Sequence, residues 1–130
     1  MALANGAGGY QIGDGNLSEV QINVQGAPVA KTAAAVLTAA ELTSGIITYT
    51  GAAVNLTLPT AADLEALVSS AKDNSAFDVV IINTGATNAA TVVVGTGWTI
   101  VGVAAVNAVT SAQFRARRTA AGAWTLYRIA

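Results

Sequence analysis

From Phe77 to Gly102 the chain reads FDVVIINTGATNAATVVVGTGWTIVG. Three apolar runs, Val79–Ile82, Val92–Val94 and Trp98–Val101, are separated by small residues such as Asn83-Thr84-Gly85 and Gly95-Thr96-Gly97. Short β-branched runs punctuated by turn formers are the pattern of strands joined by tight turns. A run apolar at every position marks a strand covered on both faces, by a second layer or by another subunit. The pattern places Val79, Ile81 and Val93 in the protomer core. Alternate neighbours such as Val80 or Val92 then belong to a sheet–sheet or subunit contact.

The rest of the chain carries weaker versions of the same signal. Val20, Ile22 and Val24 alternate with polar residues over 18–25, which predicts a half-buried strand ended by Gly26-Ala27-Pro28. Residues 29–36 read as a second, weaker strand or an extended link. Thr38 and Glu41 have capping-box spacing, with Gly45 soon after, which predicts a single helical turn. Strands are expected near 46–50 and 54–58, then near 77–83, 90–94, 98–103, 112–118 and 123–129. Between them, Thr60 as N-cap and Asp63 in the first turn open a helix over 60–72. Leu64, Leu67, Val68 and Ala71 would form its buried stripe. A four-residue loop between the last two strands would set Arg117 opposite Trp124, as a cation–π pair, and Arg115 opposite Leu126.

These elements predict a mainly β fold: a compact, mostly antiparallel β-sandwich or barrel with one helix, spanning residues 18–130 as a single domain. Residues 1–17 differ from it. They are Gly-rich, with Tyr10, Ile12 and Leu17 as spaced apolar points. A disordered tail is the plainer reading, while an aromatic anchor favours an arm that orders against a neighbouring subunit.

Composition narrows the chemistry. Cysteine and histidine are absent, which rules out disulfides and removes the commonest ligands for zinc and haem and the commonest acid/base catalyst. The carboxylates show no spacing that acid/base work would require. Gly13-Asp14-Gly15-Asn16 lacks the rest of a calcium loop, and Gly95-Thr96-Gly97 lacks the third glycine and the helix of a dinucleotide site. No cofactor is expected. The net charge of −1 gives no field to attract nucleic acid or an anionic membrane. No apolar run approaches a membrane span, and the N-terminus does not read as a secretory signal. Charged residues make up 10% of the chain, against roughly 25% in an ordinary globular protein. A surface so poor in charge favours coverage by partners over solvation alone.

One charge cluster stands out: Arg115, Arg117, Arg118 and Arg128 near the C-terminus. It reads either as a contact with acidic or phosphate groups of a partner or as the guard of an exposed sheet edge. Nucleic acid is disfavoured, because neither interleaved aromatics nor overall basicity accompanies it.

Several phrases in order carry a resemblance: LTAAELTSGIITYTG (37–51), LTLPTAADLEAL (56–67), FDVVIINTGA (77–86), VGTGWTIVG (94–102) and TSAQFRARRTAAGAWTLYRI (110–129). Together they resemble small virion proteins of tailed bacteriophages, of the capsid decoration (cement) or minor head type. The resemblance covers roughly residues 32–130 and rests on phrase order, with no catalytic motif. It implies a non-enzymatic protein made in the host cytoplasm and carried on the capsid surface of the virion. Its partner would be the phage major capsid protein, and its assembly a homotrimer. The alternative it leaves open is a tail or fibre component that recognises a host surface carbohydrate. The contact candidates are then Tyr10, Ile12 and Leu17 on the arm and Arg115, Arg117, Arg118 and Arg128 on the domain.

Overall fold

The computed structural model describes residues 22–130. Tyr10, Ile12 and Leu17, like the rest of the expected arm, lie outside the described residues. So does the first half of the strand expected over 18–25.

The chain alternates between two sheets. β1 (Val29–Lys31) lies in one and β2 (Ala35–Val36) in the other. β3 (Ile46–Tyr49) returns to the first and β4 (Val54–Thr57) to the second, and β5 (Ala76–Asn83) and β6 (Ala90–Val93) repeat the lap. Each strand comes back after a visit to the opposite sheet, so it runs in the same direction as its predecessor. β1–β3–β5 and β2–β4–β6 are accordingly parallel. Parallel neighbours need a crossover; here the crossover is a strand of the facing sheet. β7 (Trp98–Val101) and β8 (Ala105–Val106) add one strand to each sheet, and the long hairpin of β9 (Thr110–Ala120) and β10 (Ala123–Arg128) finishes the first. The six-stranded sheet has the order β1-β3-β5-β9-β10-β7 and the four-stranded sheet β2-β4-β6-β8.

The fold is thus mainly β and sandwich-like, and neither sheet closes into a barrel. The pairing corrects the expectation of mostly antiparallel sheets. Antiparallel neighbours are β5–β9, β9–β10 and β6–β8, while β7 runs parallel to β10. Residues 29–36 split into two short strands in different sheets, and β8 falls in a stretch with no predicted element.

Strand alternation fills the space between the sheets. Ile47, Tyr49, Val79, Ile81, Phe114, Ala116, Trp124 and Leu126 point inward from one sheet; Leu56, Val92 and Val106 point inward from the other, and all are buried. Val79 and Ile81 are core residues as expected. Val93 is not: the register Leu56↔Val92 puts Val92 inside and leaves Val93 half-buried on the outer face of the four-stranded sheet.

The first helix, α1 (Ala39–Leu42), is the expected single turn. Glu41 N–H donates to Thr38 Oγ1 at 3.1 Å, and Thr38 N–H donates to Glu41 Oε1 at 3.0 Å. The second, α2 (Ala61–Leu67), starts on the Thr60 cap, whose hydroxyl accepts from Asp63 N–H at 3.1 Å. It stops well short of residue 72. Ser69-Ser70 follow, and serine is an indifferent helix former. The chain then turns through a bond from Ala71 N–H to Val68 O and a left-handed Asn74 to enter β5. The stripe shortens with the helix: Ala61 and Leu64 are buried, Val68 is partly buried, and Leu67 is 51% exposed.

The turn before β7 requires glycine. Gly97 has φ +88°, and a Cβ there would stand 2.6 Å from both the Ala61 Cβ and the Gly122 carbonyl oxygen. That close approach seats α2 against the β9–β10 turn.

Residues 22–28 are irregular and exposed, which corrects the expected strand over its described part. The Gln25 side chain, which donates to the Ser44 carbonyl at 2.7 Å, anchors them.

Glu65 ties α2 to the hairpin. Its Oε2 accepts from Gly122 N–H at 2.8 Å, Trp124 Nε1 at 2.9 Å and Arg118 Nε at 3.2 Å. The Gly122 N–H first, then Trp124 and Arg118, hold the Glu65 carboxyl below the usual carboxylate range. Lys31 with the Thr38 backbone does the same for Glu41, and Arg115 does so for Asp78. A carboxylate whose pKa is lowered by folding stabilises the native state above its unfolded value. That contribution is lost as pH falls through the folded value. Thermal stability should therefore be flat near neutrality and drop below about pH 4.3, the ordinary glutamate value. Glu65→Gln should melt lower than wild type at pH 7 and show a shallower acid drop. Parallel pH profiles of wild type and variant would refute the tie.

Candidate functional site

One face of the six-stranded sheet packs on the core, and alternation sends every second side chain the other way. The registers align these outward residues in rows across the sheet. One row runs Ile46–Val80–Gln113–Ile129, and the next runs Asp78–Arg115–Tyr127–Val101. A third runs Ala30–Thr48–Ile82–Ser111. Among the described residues no further layer packs on this face. Val80, Ile82 and Tyr127 are half-buried only by their neighbours in the sheet, and Val101 is 53% exposed. Val80 was an expected contact residue, and it stands here, near the centre of the uncovered face.

The arginine cluster divides. Arg115 and Arg117 belong to this outer face. Arg115 pairs with Asp78 through two bonds, 2.7 Å from Nε and 3.1 Å from Nη2, and both side chains stay well exposed. The arrangement holds a planar fork flat on the sheet. Arg118 and Arg128 have work within the chain. Arg118 reaches Glu65 and, at 2.8 Å, Asp73. Arg128 lies 5.6 Å from the Phe114 ring centroid and donates to the carbonyls of Val103 and Ala105 at 3.1 and 3.0 Å. None of the four guards an edge, because β9 and β10 each have a neighbour on both sides.

The hairpin register also differs from the expected one. The turn is Ala121-Gly122, and a shift between Ala123 and Trp124 marks a bulge. Trp124 therefore faces Arg118, and Arg117 faces Thr125. The ring under Arg117 is that of Tyr127, at 6.0 Å, in place of Trp124.

At one end of the face a concavity of about 400 Å³ is lined by Ile82, Asn83, Thr84, Val109, Thr110 and Ser111. Val109 has φ +57° and is 73% exposed. A β-branched residue rarely adopts the left-handed region, which costs roughly 1–2 kcal/mol for a residue with a Cβ. The bond from Val109 N–H to Gly85 O at 3.1 Å helps to hold it there. The strain keeps an apolar side chain in solvent beside Ile82. Val109→Gly is thus expected to leave stability level or to raise it by up to about 1 kcal/mol, since relief of strain offsets glycine's entropy. Chemical denaturation would check this, and a loss above that size would show that no strain is stored. The sequence gives no sign of Val109, since nothing in NAVT marks a non-glycine residue for positive φ.

Among the described residues no three His, Cys, Asp or Glu side chains gather as a metal site would require, and no helix is long and apolar enough to cross a membrane. The chain matches no family model, no curated protein and no solved structure.

Proposed function

We propose that the chain is a non-enzymatic structural protein of a bacteriophage particle. It binds the outer capsid surface as a homotrimer and reinforces contacts between major capsid subunits. The observation that carries this reading is the uncovered face of the six-stranded sheet. Its centre is apolar, with Val80 and Ile82; of its charged side chains Asp78 and Arg115 neutralise each other, and Arg117 lies over the Tyr127 ring. A flat apolar centre with a paired polar fork suits docking on another protein better than holding a small molecule. The phrase-order resemblance to decoration proteins supplies the setting, and the low content of charge agrees with it.

A tail or fibre position with carbohydrate recognition would call for exposed aromatics in a shallow patch. Among the described residues Tyr127 is the aromatic on the outer face, and Arg117 covers its ring. That arrangement favours a protein partner.

The test is co-sedimentation of purified protein with phage heads depleted of it. Saturable binding at a fixed ratio to the major capsid protein is expected. Protein that stays in the supernatant and weighs as a monomer would end the proposal.

A further inference from the structure

Both sheets end on the same side of the coil, at β1 and β2. In a parallel ladder, alternate residues bond to one side. Lys31 O accepts from Thr50 N–H at 3.1 Å, so Val29 and Lys31 face β3. The N–H and C=O of Ala30 consequently point to the free side, where no strand lies among the described residues. Just ahead of β1, Ile22 is 86% and Val24 100% exposed, alternating with Asn23 and Gln25. This is a strand-forming pattern with its apolar side chains in water. The two features do not meet within one chain. The Gln25 side chain is anchored on the Ser44 carbonyl, just before β3 and so on the side of β1 opposite its free edge. Folding residues 22–24 back over Gly26–Pro28 would break that anchor.

We propose that residues 22–25 of one copy lie along the free β1 edge of a neighbouring copy, so that the copies join head to tail. Backbone bonds at Ala30 and apolar cover for Ile22 and Val24 then come from the same contact. Val36, 67% exposed on the adjacent β2, supplies further apolar surface. A contact in which one copy's segment meets a different surface of the next is heterologous, and such contacts close into rings when the rotation allows. Closure at three gives the trimer. This inference rests on the oligomer in the reading above, but its test needs no capsid.

The chain has no cysteine, so single engineered thiols report cleanly. Val24→Cys and Ala30→Cys proteins are to be mixed, refolded together and treated with a short bis-maleimide. The expected product is a covalent dimer containing one of each chain, absent when Val24→Cys is treated alone. Ile22→Asp/Val24→Asp should weigh as a monomer and keep the near-ultraviolet circular dichroism of wild type, because both side chains are solvent-exposed in the protomer. A mixture that gives no mixed dimer, or a double Asp variant that remains a trimer, overturns the inference. If wild-type protein binds heads while the Val24→Cys and Ala30→Cys pair gives no mixed dimer, this contact alone falls; if the pair cross-links as expected while wild-type protein ignores heads, the capsid reading alone falls.

Discussion

Trp124→Ala is expected to lower folding stability by about 3–5 kcal/mol, the range for removing a large buried aromatic. Trp124 is 2% exposed at the centre of an aromatic cluster, with ring centroids 5.9 Å from Phe77 and 5.8 Å from Trp98. Its loss opens a cavity between the hairpin and α2 that neighbouring rings cannot fill. Trp98 is fixed by the bond from its Nε1 to the Pro59 carbonyl at 2.8 Å, and α2 is held by the Gly97 approach. Glu65 loses one of its donors as well. Domains are stable by roughly 5–15 kcal/mol in total, so the loss would be a large share of the whole. Trp124→Phe separates the two contributions. It keeps most of the ring contact and loses only the Nε1 donor to a partly exposed carboxylate, so it should retain most of the stability. Urea titrations followed by far-ultraviolet circular dichroism measure both. A Trp124→Ala loss below about 1 kcal/mol would mean that the site collapses freely, against the close packing usual in protein cores.

Much of the strand content was legible because each lap of the coil leaves the same local trace: a short apolar run and a turn. Val79 and Ile81 could be placed in the core, and Thr38–Glu41 as a capped turn, since both rest on periodicity or spacing within a few residues. Strand order and direction were not legible. A run such as ITY or VNLT packs equally well beside a hairpin partner or beside a strand one lap away, and nothing local distinguishes them. That is why a mostly antiparallel sandwich was expected where parallel neighbours dominate the first half. The same limit explains Val92 and Val93. In a run apolar at both parities the inward set is chosen by the register with Leu56, which lies far off in sequence. The hairpin slipped by one residue for a comparable reason: the bulge and the tight Ala121-Gly122 turn depend on backbone geometry.

The outer face was legible only in outline. Runs apolar on both sides already required a second cover for Val80, and among the described residues no layer supplies one. The arginines misled in part, because clustering in sequence says nothing about which side of β9 and β10 each residue leaves. Arg115 and Arg117 share a parity and reach the outer face; Arg118 has the opposite parity and is drawn to Glu65.

That division of faces leads to the sharpest functional expectation. Val80→Lys should weaken binding to depleted heads by at least about 100-fold, roughly 2.7 kcal/mol, the scale of a central hot spot. The protomer should tolerate the change. Val80 points away from the core, between Ile46 and Gln113 in its row, and a lysine there can extend its amine into solvent. Its weaker strand propensity costs at most about 1 kcal/mol. In the complex the same amine would be stripped of water at the middle of an apolar patch, with Asp78 already engaged by Arg115. Thr57→Lys is the matching control, because Thr57 lies on the outer face of the four-stranded sheet and should leave head binding unchanged. Sedimentation with heads over a concentration series measures both variants. If Thr57→Lys abolishes binding while Val80→Lys binds like wild type, the docking face is the four-stranded sheet. If both bind like wild type, neither sheet face is the contact, and the capsid would have to be gripped through the strand edges or the N-terminal residues instead.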